Sequence, residues 1–203
     1  MIILAAGLSN RMGDFKPLLP VGKRPAILRD IQTAQKAGVR EIIVVTGHMR
    51  EKIENIVSET APDVRLVCND RYENGMFSSV RAGISALPAE ADGFFLLPAD
   101  CCAVSSGTLS ALMGRVAYDG PVVLHPTYKG RRGHPPLIPA RCADRIALYE
   151  GKDGLKGALD ALESVDIETN DPGVLLDMDT PEDYKAMLAY LGAAVPHRQA
   201  GNR

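Results

Sequence analysis

Four groups of residues in this sequence have side chains whose types and spacing can do chemistry. The first follows the apolar run Ile2 to Leu4 and reads Ala5, Ala6, Gly7, Leu8, Ser9, Asn10, Arg11, Met12, Gly13, Asp14, Phe15, Lys16. Glycines at 7 and 13 let the backbone turn tightly and come close to a ligand with its amide N–H groups exposed, while Arg11 and Lys16 add two cations with only Asp14 nearby. Such a loop can hold a triphosphate. Taken alone it serves equally as a solvated turn, and it is neither a Walker A loop nor a G-x-G-x-x-G. The second group is carboxylates. Asp100 ends the run Gly93 to Pro98, where an oxygen ligand can bind Mg²⁺ or a turn former can sit. Asp177 and Asp179, two apart along an extended segment, point to one face, so either can reach the same cation. In the third group, Gly75, Met76, Phe77, Ser78 and Ser79 open a helix, and the serines either cap it or offer hydroxyls to polar ligand atoms. The fourth, Gly130, Arg131, Arg132, Gly133, His134, Pro135, Pro136, gathers two arginines and a histidine in a braced turn suited to an anion such as a phosphomonoester.

These groups need a scaffold that brings them to one place. Apolar runs at Ile2 to Leu4, Glu41 to Thr46, Val64 to Asn69, Gly93 to Pro98 and Val122 to His125 alternate with helical periodicity around Ala26 to Ala37, Arg50 to Glu59, Phe77 to Ala86 and Thr108 to Val116. The alternation predicts an α/β fold, a mostly parallel twisted sheet with helices on both faces in a single domain. Ligands of such sheets sit at the carboxyl ends of the strands, which is where the four groups fall. After the runs Val165 to Glu168 and Val174 to Met178, the segment Pro181 to Leu191 reads as a closing helix with Thr180 as N-cap, Pro181 at its first position and acids in its first turn. The domain is expected over residues 1–195, followed by a polar tail from residue 196.

The first loop, LAAGLSNRMGDFKPLLPVGKRP, resembles the signature L-A-A-G-x-S-x-R-M-G-x-x-K-x-L-L-P-x-x-G-x-P of the molybdenum cofactor nucleotidyltransferase-like family. The segment from Asn69 to Gly83 resembles that family's N-x-x-Y-x-x-G-M-x-x-S-x-x-x-G, residues 177–183 its D-x-D-T-P-x-D, and Arg132 to Pro135 the R-G-H-P of its cytidylyltransferase branch. The resemblance implies a Rossmann-like nucleotidyltransferase fold. In it Ala5, Ala6 and Gly7 meet the nucleotide, Arg11 and Lys16 neutralise its phosphates, and Gly75 and Ser79 contact it. Asp100 and Asp179 hold Mg²⁺, Asp179 being favoured over Asp177 because related sugar nucleotidyltransferases place the second metal aspartate directly before a Thr. Arg131, Arg132 and His134 bind the acceptor. One departure stands out: the family commonly reads Asp-Met-Pro where this chain reads Asp100, Cys101, Cys102.

Base choice follows from Ala6, since guanylyltransferases of this kind usually read L-A-G-G and the methyl narrows the room beside the base. The expected reaction is therefore transfer of a cytidylyl group from CTP to the phosphate of molybdopterin, with release of pyrophosphate. Guanylyl transfer, transfer to a phosphosugar or phospho-alcohol, and a silent nucleotide- or cofactor-binding module are the rivals. A net charge of −2 and the absence of a Lys/Arg block exclude a polynucleotide footprint. Cys68, Cys101, Cys102 and Cys142 lack zinc spacing and read as reduced thiols, and the apolar N-terminus has neither the basic start nor the length of a signal peptide or span. A cytoplasmic protein is expected, with no membrane partner and no molybdoenzyme or chaperone that the sequence names.

Overall fold

A computed structural model gives the fold, describing residues 1–9, 12–119 and 122–193. In chain order the elements are β1 (Ile2–Leu4), the hairpin β2 (Pro20–Val21) and β3 (Arg24–Pro25), α1 (Ala26–Ala37), β4 (Ile43–Thr46), α2 (Arg50–Thr60), β5 (Arg65–Cys68), α3 (Met76–Ser85), β6 (Gly93–Pro98) and α4 (Ser106–Asp119). There follow β7 (Val123–Tyr128), β8 (Arg131–Arg132), β9 (Leu137–Pro139), α5 (Ala143–Ala147), α6 (Gly154–Asp160), β10 (Ser164–Glu168) and α7 (Pro181–Tyr190). The main sheet runs β10-β7-β9-β6-β1-β4-β5, with β8 paired to β7. Strands β1, β4, β5 and β6 are mutually parallel, as are β7 and β10, while β9 lies antiparallel between β6 and β7.

Alternation along the central strands builds both layers of the core. Ile3, Val44, Phe95 and Leu97 face Ile27 and Ile31 of α1, Ile53 of α2 and Leu109 and Leu112 of α4. Their neighbours Ile2, Leu4, Ile43, Val45 and Leu96 face Val80 of α3, Ile146 of α5 and Leu155 of α6. Each fully buried aliphatic side chain contributes about 1.5–3 kcal/mol, so a sheet covered on both sides holds its strand ends rigidly. A third cluster, Met12, Val21, Cys102, Met178, Met187 and Leu188, packs α7 onto the end of the sheet.

The chain winds from β1 outward through β4 to β5 and then returns by α3 to β6 on the other side of β1. The loops after β1 and β6 therefore leave adjacent strand ends in divergent directions, which opens a crevice between them. Two sequence expectations change. The run Val174 to Met178 is not extended throughout: Pro172–Leu175 forms a 3₁₀ turn whose start is fixed by Asp171, with its side chain accepting from the Gly173 N–H. The fifth run extends beyond His125 to Tyr128, because Thr127 and Tyr128 pair with β8. Helix α7 starts as expected, with Thr180 and Asp183 in a capping box and Pro181 in the first turn. The polar tail from residue 196 lies outside the described residues, and among those no helix is long and apolar enough to cross a membrane.

Candidate active site

The crevice holds a cavity of about 380 Å³. Its walls are Ala5, Ala6 and Gly7 from the first loop, Lys16, then Tyr72, Gly75 and Ser79 from the segment entering α3, and Asp100 after β6. Five expected nucleotide contacts thus meet Lys16 and Asp100 in one place. Arg11 lies outside the described residues.

Lys16 begins a 3₁₀ turn, Lys16–Leu18, with Pro17 in its first positions. Its backbone N–H donates to Ser9 Oγ at 3.1 Å, which ties the two ends of the loop together. Its ammonium lies between two carboxylates, 3.0 Å from Asp100 Oδ2 and 2.6 Å from Asp179 Oδ1. Burial disfavours the charged amine, but hydrogen bonds to Asp179 and Asp100, with their charges, outweigh that and raise its pKa above the ordinary lysine value. Asp100 sits in a turn closed by the Cys101 N–H on the Pro98 carbonyl at 3.1 Å, and Ala99 N–H donates to Leu4 O at 3.0 Å across the sheet edge. The Cys101-Cys102 pair leaves this aspartate in place: both thiols are free and buried, and Cys102 Sγ rests 3.4 Å from Met187 Sδ. Burial, and then the charge of Asp100 among others, pushes the Cys101 thiol well up, so it behaves as packing rather than as a nucleophile.

Asp179 is placed by the capping box that follows it, in which Thr180 N–H donates to Asp183 Oδ2 at 2.9 Å and Asp183 N–H returns to Thr180 Oγ1 at 3.2 Å. Tyr184 one turn on donates to the Pro20 carbonyl, fastening α7 to the first loop's far side. Asp177 is also near: burial and then the charges of Asp179 and Asp100 raise its carboxyl pKa. It does not share the Lys16 ammonium.

At the α3 end, the sequence left open whether Ser78 or Ser79 caps the helix, and neither does. Gly75 is the N-cap, in a left-handed conformation with φ 90° that favours glycine, and no side chain caps it. Ser79 is 4% exposed and faces the cavity. Behind it stands Asn69, which in the sequence is visible only as one letter of a motif. Asn69 Nδ2 donates to Ser78 Oγ at 2.8 Å and Ser79 Oγ at 2.9 Å. Ala6 is 1% exposed, and a methyl built at Gly47 would meet the Ala6 methyl and Tyr72 Cβ at 2.8 Å, so only glycine lets the Ala6 loop and Tyr72 close up there.

The acceptor residues are arranged less simply. His134 is fixed by its N–H on the Val174 carbonyl at 2.7 Å, and a side chain at Gly133 would stand 2.2 Å from that same oxygen. Burial lowers the His134 pKa against the opposing pull of Asp100 and Asp177, and its Nδ1 has no hydrogen-bond partner among the described residues. The imidazole therefore belongs to the acidic cluster's surroundings. Arg131 and Arg132 are exposed on β8 and are not brought to Lys16: Arg132 pairs with Asp166 at 2.6 Å and donates to Ser164 Oγ at 3.2 Å. Their turn is braced by Glu168, which accepts from Thr127 Oγ1 at 2.7 Å and from Lys129 N–H at 2.7 Å. Among the described residues no three His, Cys, Asp or Glu side chains form a ready metal cage.

Comparison with known proteins matches residues 1–167 to the family described as the MobA-like NTP transferase domain. A molybdenum cofactor cytidylyltransferase of Escherichia coli K12 is 27% identical over 183 residues, 90% of this chain and 92% of that protein. A nucleotidyl transferase of Methanothermobacter thermautotroptrophicus superposes with a TM-score of 0.77 at 26% identity, over 94% of this chain and 96% of the other. The molybdopterin-guanine dinucleotide biosynthesis protein A of Archaeoglobus fulgidus superposes at 0.68 with 16% identity, over 94% and 97%, a likeness of fold alone.

Proposed function

Because the chain belongs to the family of MobA-like NTP transferase domains and is a nucleotidyltransferase, we propose that it transfers the CMP moiety of CTP to the terminal phosphate of molybdopterin. The observation that carries the reading is the cavity at the β1/β6 crevice, where the loop containing Ala6 and the serine of α3 share a wall with the Lys16 ammonium and Asp100. The acceptor's phosphate oxygen attacks the α-phosphorus in line, the α–β phosphoanhydride bond breaks, and pyrophosphate leaves with the electron pair. A phosphate nucleophile is already ionised at neutral pH, so no general base is needed. Positioning and charge neutralisation supply the rate enhancement. Within that scheme Ala5, Ala6, Gly7, Gly75 and Ser79 hold the nucleotide, Lys16 and Arg11 offset phosphate charge, and His134 serves the acceptor.

Mg²⁺ is the proposed cofactor. The residues fit it: one ammonium reaches both Asp100 and Asp179, so a single cation can be held between them, and two hard oxygen donors are the few protein ligands that Mg²⁺ takes. When bound, it supplies positive charge to the phosphates at the reacting centre.

Two measurements follow. Pyrophosphate release should require molybdopterin and favour CTP over GTP at least tenfold in kcat/KM, about 1.4 kcal/mol. Equal or faster use of GTP ends the base assignment, while Ala6→Gly should narrow the gap. His134→Ala should raise the KM for the acceptor about tenfold and leave CTP affinity within twofold, because the imidazole sits by Asp100 and Asp177 and not in the nucleotide cavity. Unchanged acceptor kinetics would leave the His134 turn a structural one.

A further inference from the structure

We propose that Asn69 is a positioning residue that fixes the polarity of the Ser79 hydroxyl, obliging the cavity to present a hydrogen-bond donor to the nucleobase. This rests on the reading that the cavity holds a nucleotide, with its base beside Ala6 and with Ser79 among its contacts.

Asn69 directly follows β5, and its N–H extends the ladder to the Thr46 carbonyl at 2.8 Å, so its backbone is fixed. It is 6% exposed. Its side-chain Oδ1 accepts from the Arg71 backbone N–H at 3.0 Å. That bond decides which way the amide faces, since the reverse orientation would set an NH₂ against an N–H. Nδ2 must then face α3, where its two hydrogens go to Ser78 Oγ and Ser79 Oγ. The two hydroxyls are accordingly both acceptors toward Asn69 and must send their own hydrogens elsewhere.

For Ser78 the outlet lies in the protein, at the carbonyls of Gly75, 2.8 Å away, and Arg71, 2.9 Å away. Ser79 has no such outlet. No carbonyl or carboxylate among the described residues accepts from it, and it lines the cavity. A ligand acceptor placed there gives that hydrogen a partner inside the cavity, where a ligand lacking one leaves it unused. The chemistry recognised is a base edge with an acceptor. Cytosine offers N3 and O2 side by side, whereas uracil interposes an N3–H donor.

Asn69→Asp tests the polarity with almost no change of size. A carboxylate still accepts from the Arg71 N–H, but its second oxygen now takes the Ser79 hydrogen and turns lone pairs toward the cavity. Equilibrium binding of CTP and UTP, without acceptor, should show CTP affinity falling at least tenfold and the CTP/UTP ratio falling about tenfold. A double-mutant cycle with Ser79→Ala separates this from a general disturbance of the loop. In the Ser79→Ala background, Asn69→Asp should change CTP affinity less than twofold. An equal loss in both backgrounds, or an unchanged ratio, would overturn the proposal. Thermal midpoints of all four proteins identify a variant that fails to fold, and in that case Asn69→Ser in the same cycle decides between the two outcomes. A parent that binds GTP and not CTP defeats the functional reading instead, and the cycle run with GTP, whose O6 and N7 are acceptors, still tests Asn69.

Discussion

Asp100→Asn is expected to lower kcat by at least a hundredfold, a barrier increase of about 2.7 kcal/mol, while the protein stays folded. The change keeps the side chain's size and removes one of the two carboxylates that share a cation. On the proposed mechanism that cation is Mg²⁺, and Lys16 alone cannot take its place beside the reacting phosphate. The fold should tolerate the change because acids crowd this corner: the charge of Asp100 raises the carboxyl pKa of Asp177, after burial and Asp179, and that of Asp30, after burial. Removing it relieves repulsion and frees one of two partly solvated pairs of Lys16. The thermal midpoint without ligand should move by no more than about 4 °C, the shift from about 1 kcal/mol in a domain of this size. The added stability from CTP with Mg²⁺ should vanish. Parental turnover in Asp100→Asn would move the metal elsewhere, and a greater loss in Asp177→Asn than in Asp179→Asn would name the other carboxylate of that pair.

Lys16→Met is expected to do two opposite things. Turnover should fall at least a hundredfold, as the triphosphate loses a buried counter-charge. Affinity for a divalent cation in the absence of nucleotide should rise at least tenfold, because the ammonium that now lies between Asp100 and Asp179 competes for the place a cation would take. The reasoning is electrostatic: two carboxylates already bridged by one positive charge gain little from a second, and the same pair relieved of that ammonium gains more. Calorimetric titration with Mn²⁺, run without nucleotide on parent and variant, measures it. Equal or weaker Mn²⁺ binding by the variant would show that the lysine does not guard the site. It follows that the parent should bind metal and nucleotide together, since the triphosphate gives Lys16 another anion to hold.

The parts of the site that could be read from the sequence are those whose physics is local. The first loop shows its glycines and cations in one stretch, Asp100 stands at the end of a run of strand-forming apolar residues, and Thr180, Pro181 and Asp183 spell out a helix start that the structure reproduces as a capping box. What escaped depends on partners far along the chain. Strand β9 has three residues, follows two prolines, and owes its existence to the gap between β6 and β7. The pairing of Lys16 with Asp179 spans 163 positions. Asn69 looks like any polar residue after a strand until both serines of α3 are seen on its amide. Asp171 is of the same kind, accepting at once from Ser105, Thr108, Gly173 and Tyr190. Arg132 shows the converse, a motif arginine on β8 whose side chain is engaged by Asp166 of β10, each strand pairing with β7.

The separation in sequence between Lys16 and its two acids has a consequence for the making of the protein. Lys16 and Asp100 are 84 positions apart, and Asp179 comes 79 positions later still, beyond the segment matching the family. A chain emerging from the ribosome can complete its central strands and their covering helices while the last carboxylate is still unsynthesised or undocked. Until α7 settles against the first loop's far side, Lys16 has one acid instead of two, and no pair of carboxylates exists to share a cation. On the proposed function, nascent or C-terminally shortened chains should therefore fold most of the sheet yet neither capture metal-bound nucleotide nor withdraw CTP from the cell, and competence should appear as the final event of maturation.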